Sequence, residues 1–76
     1  MDIRQVLAAN VRQLRHEKGL SQEALADVAD INRTYISKLE SGATWAGLQI
    51  IAKLAGVLGV APADLLKLSN RRSRRS

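Results

Sequence analysis

Residues 19–42 read GLSQEALADVADINRTYISKLESG, and the fold turns on this stretch. It carries two helix starts and two stops. Ser21 is a good N-cap, because its hydroxyl can accept from a backbone N–H that a helix start leaves orphaned. Gln22 and Glu23 fill the first turn, where an acidic side chain suits the positive end of the helix dipole. The residue at the third helical position is Ala24, so no capping box forms there. Asp30-Ile31-Asn32 is too short for anything but a turn, Asn32 is a good cap for the next helix, and Gly42 ends it. Two short helices joined by so short a turn must cross steeply, with a small residue where they approach. Ala26 stands at that approach. Leu25, Ala29, Ile31, Ile36 and Leu39 stand where the pair would lock to a core. Any helical hairpin satisfies part of this pattern, so the geometry alone leaves the function open.

The flanks are helical too. Upstream, Ile3, Val6, Leu7, Val11 and Leu14 recur at steps of three and four and form one amphipathic stripe. Asp2 can cap that helix, with Gln5 as a weak capping-box partner. Gly19 can take the left-handed conformation that stops it, and Leu20 adds the apolar contact that follows. Downstream, Leu48, Ile51, Leu54, Ala55 and Leu58 line a fourth helix between Gly47, an acceptable cap, and Gly59. Pro62 sits well at the first position of a short fifth helix, PADLLKL, with Asp64 in its first turn. The pattern contains no strand, repeat or linker. The expected fold is all-α, a five-helix bundle over residues 1–69, followed by a basic, low-complexity tail at 70–76 that is expected to be disordered.

Composition narrows the chemistry. At 76 residues the chain is one small domain, for which self-association is a plausible support. Without Cys it has no disulfide, thiolate metal site or Cys nucleophile. Its single His, His16, is expected on the polar face of the first helix, and no metal or other cofactor is expected. One His and no clustered carboxylates also argue against an enzyme. No apolar run approaches the ~20 residues of a membrane span, and no signal peptide is evident, so the expected compartment is the cytoplasm of a cell without a nucleus. The net charge of +5 is unevenly placed. Residues 1–69 hold eight Lys/Arg and seven Asp/Glu, while the tail NRRSRRS adds four Arg. Composition by itself is therefore only a modest argument for a nucleic-acid partner.

The wording is more specific. LRHEKGLSQEALADVADINRTYISKLESG and the closing IIAKLAGVLGVAPADLL resemble the helix-turn-helix family of phage repressors and Cro proteins, over roughly residues 3–68. The resemblance implies a repressor-like bundle whose third helix enters the major groove of double-stranded DNA while the second crosses the backbone. It places Arg33, Thr34 and Lys38 at base edges, with Ser37 a further candidate. Arg33 is suited to guanine O6 and N7. It implies phosphate contacts from Gln22, which also braces the third helix, from Ser41, and from backbone N–H groups near Thr44 and Trp45. The Trp45 side chain itself is expected to pack under the loop, and Tyr35 to be half-buried. Arg15 and Glu40 match a family pair that forms a partly buried salt bridge, so Glu40 is expected to be structural. Three positions depart from the family: Asp30 replaces a usual Gly, Trp45-Ala46-Gly47 replaces a frequent Asn-Pro-Ser, and Ala61 replaces a common capping Ser, leaving the fifth helix open to fraying.

The expected function is a transcriptional regulator, a repressor or controller that binds a palindromic operator as a homodimer. The dimer interface is expected around Leu58, Leu65 and Leu66, and no small-molecule effector site is evident. RTYIS and the short length are similar to the controller proteins of restriction–modification systems. The alternative is an antitoxin-type interaction module that also binds DNA, although little surface remains beyond the tail to cover a toxin. A membrane-surface role is disfavoured, because the basic residues do not line one apolar-backed helix.

Overall fold

The computed structural model describes residues 2–68, and the tail at 70–76 lies outside them, as does Ser69. The elements follow in the order α1 (Ile3–Glu17), α2 (Gln22–Ala29), α3 (Arg33–Glu40) and α4 (Leu48–Leu58), then a single 3₁₀ turn, Pro62–Leu65. Among the described residues there is no strand.

Helix starts follow the capping chemistry of the sequence. The Asp2 carboxylate accepts from the Arg4 N–H at 3.0 Å, the Ser21 hydroxyl from Ala24 at 2.9 Å, and the Asn32 amide oxygen from Thr34 at 2.8 Å. Gln5 does not complete a capping box. Its carboxamide instead lies against Gly42, filling the space a side chain there would need, and Gly42 also has φ +78°. The stop of α2 is made by a residue other than glycine. Asp30 takes φ 57°, and the following Ile31 N–H reaches back to the Ala26 carbonyl at 2.8 Å, as in a glycine-ended helix. The chain thus turns at once into α3, and α2 and α3 pack directly on each other.

The core is drawn from every element: Leu7 and Val11 of α1, Leu25, Ala26 and Ala29 of α2, Ile36 and Leu39 of α3, the Ile51–Leu58 face of α4, and Leu65. Leu48 is the exception to the α4 stripe. As the first residue of that helix it projects past the core and is 83% exposed.

The expected fifth helix is cut to one turn. Ala61 offers no side-chain cap, and only the reciprocal bond exists, from the Ala61 N–H to Asp64 at 3.0 Å. A side chain of α1 then ends the turn. The Asn10 amide donates to the carbonyls of Leu65 and Lys67, both at 2.8 Å, groups a continuing helix would have used for itself. Leu58 and Leu65, expected at a dimer interface, are instead committed to this core and are essentially buried. Of the three leucines only Leu66 reaches the surface.

Candidate nucleic-acid interface

Helix α3 divides cleanly into two faces. Ile36, Leu39 and Glu40 are buried, whereas Arg33, Thr34, Ser37 and Lys38 are exposed. Positions 33, 34, 37 and 38 are neighbours on one side of a helix, so two cations and two hydroxyls share a single outward stripe. None of these four side chains takes part in a hydrogen bond or ion pair among the described residues. The stripe presents a fork of N–H donors, an ammonium, two hydroxyls and one methyl group. That set can donate to base and phosphate oxygens and touch a thymine methyl.

The buried side of α3 is fastened by polar bonds as well as by packing. Arg15 meets the Glu40 carboxylate through two bonds, Nε to Oε2 at 2.6 Å and Nη2 to Oε1 at 2.9 Å, with both side chains nearly sealed from solvent. Gln22, at the start of α2, donates to the same Oε1 at 3.1 Å. Helices α1, α2 and α3 therefore converge on one carboxylate. Bidentate geometry and a third donor are what allow a buried charge to be tolerated. The remaining Arg15 nitrogen donates to the Leu20 carbonyl at 2.8 Å, and exposed His16 sits beside the guanidinium, 3.2 Å from Nη2. Arg12, which no local pattern singles out, donates to the backbone carbonyl of Glu40 at 2.7 Å and so caps the end of α3.

The loop after α3 is arranged differently from the sequence expectation. Tyr35 is half-buried, and its hydroxyl donates to the Trp45 carbonyl at 2.9 Å, tying the loop to the helix. Trp45 does not pack beneath the loop. It is 63% exposed, with the Arg4 guanidinium 4.6 Å from its ring centroid. The bulky ring, followed by two small residues, Ala46 and Gly47, stays at the surface and carries a cation against its face. Ser41 is exposed and donates its hydroxyl proton to the Lys38 carbonyl at 2.9 Å. Thr44 is half-buried, with its hydroxyl 3.5 Å from the Trp45 carbonyl. Near this edge Asp2 is held below the usual carboxylate range, chiefly by its bonds from the Arg4 side chain and N–H. Among the described residues no group of three or more His, Asp or Glu could hold a metal, and no helix is long and apolar enough to cross a membrane.

Comparison with known proteins agrees with this geometry. A helix-turn-helix family model matches residues 11–65. The control protein C.BamHI of Bacillus amyloliquefaciens is 46% identical over 66 residues, covering 86% of this chain and 82% of that protein. The crystal structure of a hypothetical transcription factor, NHTF, from Neisseria superposes with a TM-score of 0.89 at 41% identity, over 99% of this chain and 86% of that one. SinR, a master regulator for biofilm formation solved in complex with DNA, matches with a TM-score of 0.77 at 32% identity, over 80% of this chain and 98% of that one. The chain belongs to the helix-turn-helix family, and its place is among that family's transcriptional regulators.

Proposed function

We propose that the protein binds a palindromic DNA operator as a homodimer, laying α3 of each copy into the major groove of one half-site. The observation that carries this reading is the outward stripe of α3, polar and unpartnered, on a helix whose inner side is fixed by Arg15, Gln22 and Arg12. Side chains that read bases must be free to bond, and their scaffold must not move. In this reading Arg33 forks onto guanine, Lys38 and Ser37 take neighbouring acceptors, and Thr34 meets a thymine methyl or a phosphate. Gln22, Ser41 and the N–H groups of Thr44 and Trp45 face phosphates on either side. Leu66 and Leu68, exposed at the end of the described chain, supply the apolar edge for pairing. The likeness to a protein named a control protein, together with the RTYIS run, supports a controller of a restriction–modification system.

Selection from a pool of random duplexes at fixed, moderate salt tests this directly. An enriched inverted repeat, with half-site centres about 34 Å apart or a multiple of that, is the expected result. Salt-sensitive binding with no enriched sequence would overturn it, and a small partner protein that co-purifies would move the antitoxin reading ahead.

A further inference from the structure

Arg4 and Trp45 stand together at the edge of the recognition face, and no role assigned so far uses the Arg4 side chain. The indole is largely open to solvent, and the Arg4 guanidinium lies against it, 4.6 Å from the ring centroid. That guanidinium is also held by Asp2, at 3.0 Å from Nη2 to Oδ2 and 3.3 Å from Nε to Oδ1. The Trp45 carbonyl is bonded to Tyr35, the third residue of α3, so the edge is continuous with the stripe above.

We propose that Arg4 and Trp45 together grip the sugar–phosphate backbone beside the groove that α3 enters, and that Asp2 is a built-in competitor which Arg4 leaves on binding. This rests on the DNA-binding reading above. The arrangement suits the ligand in three ways. A planar aromatic can lie against deoxyribose while its ring N–H donates to a phosphate oxygen. A guanidinium meets phosphate through two parallel bonds. An exposed ion pair such as Arg4–Asp2 contributes little to folding, so exchanging one carboxylate for a phosphate costs the fold almost nothing. Asp2 also caps α1 through its bond from the Arg4 N–H, a task Asn performs equally well, so the competitor can be removed while the cap stays.

The test uses the full chain and a random-sequence duplex about three helical turns long, titrated across a fourfold range of salt. Trp45 is the only Trp, so its emission reports this site alone. Three results are expected. DNA quenches the emission. R4Q lowers the salt slope by about 0.9, so the advantage of the parent shrinks about three- to fourfold from the lowest to the highest salt. D2N binds more tightly than the parent, but gives no gain when R4Q is already present. Circular dichroism confirms that both variants stay folded. If D2N tightens binding equally with or without Arg4, net charge alone is the cause and the proposal fails. Unchanged emission with unchanged slopes also overturns it. A parent that binds no DNA at all would instead defeat the functional reading on which the proposal stands.

Discussion

Replacing Glu40 with Gln tests whether the recognition helix is held by charge or by shape. The carboxylate accepts three bonds, two from Arg15 and one from Gln22. Glutamine keeps the volume but only one acceptor oxygen. Its NH₂ group must face either Arg15 Nε or the paired donors Arg15 Nη2 and Gln22 Nε2, so donor meets donor. Arg15 remains charged and nearly buried, with one of its two donors to residue 40 facing an NH₂ group and only the single amide oxygen, the Leu20 carbonyl and the neighbouring His16 ring for company. Breaking one side of a buried pair costs about 3–5 kcal/mol. The surviving bonds to Leu20 and to the one amide oxygen place E40Q at the lower end, about 3 kcal/mol. A chain of 76 residues has a total stability of about 4–11 kcal/mol, so the loss is a large fraction of the whole. At roughly 4–8 °C per kcal/mol for a domain of this size, the midpoint should fall by about 12–24 °C. The assay is urea and thermal unfolding followed by circular dichroism at one fixed protein concentration, because self-association would make the midpoint depend on concentration. A loss under about 1 kcal/mol would refute the reasoning and put the pair in the class of weak surface bridges. The double variant R15M/E40L, which replaces the pair with apolar groups, should regain most of the lost stability.

Four further outcomes are expected. R33A should lose preference for the operator by about 1–3 kcal/mol per base pair it reads, with melting unchanged; operator affinity equal to the parent's would remove Arg33 from the reading face. N10A leaves the Leu65 and Lys67 carbonyls without their donor, which should cost about 1–3 kcal/mol and raise amide exchange first in residues 64–68; uniform exchange would count against the clasp. Asp2 and Asp64 both have lowered pKa values, Asp2 through Arg4 and Asp64 through Lys67 and the Ala61 N–H. Their contribution is therefore complete above the ordinary carboxylate value and lost as pH falls through the folded one. The start of α1 and the 3₁₀ turn should loosen only in acid below about pH 4, and carboxylates that titrate at or above the ordinary value by NMR would contradict this. Deleting residues 70–76 should weaken binding about equally on operator and random DNA, and a loss confined to the operator would contradict that.

Most of the fold was legible because its punctuation is local. Asp2, Ser21 and Asn32 announce helix starts within two or three residues of the bonds they make, and the α2–turn–α3 spacing fixes the crossing. Even the unusual stop at Asp30 follows from the short turn that must come after it. The misreadings concern contacts between residues far apart in the chain. The bonds from Asn10 to the carbonyls of residues 65 and 67, and from Arg12 to the carbonyl of Glu40, pair a side chain with backbone, which carries no sequence signature. The fifth helix was cut short by one of these. Leu58 and Leu65 look like any other apolar helix positions until the packing shows that the core has already taken them, while Leu48 and Trp45, equally apolar, are left outside. At the candidate site, the residues of the exposed stripe of α3 were implied by the family resemblance, but the use of Arg4 as a cover for Trp45 had no signal in the sequence.

The convergence of three helices on Glu40 also separates two selective pressures. What holds α3 in place lies on its inner side and at its ends, in Glu40, Arg15, Gln22, the apolar Ile36 and Leu39, and the bonds of Asn32, Tyr35 and Arg12. What it would read, on the function proposed above, lies on the outer side, in residues whose side chains bond to nothing else in the described protein. Surface substitutions of that kind usually change stability by no more than about 0.5 kcal/mol. On that proposal, a lineage carrying this scaffold can change its operator one residue at a time without passing through a poorly folded intermediate, and the scaffold can persist while its DNA targets diverge.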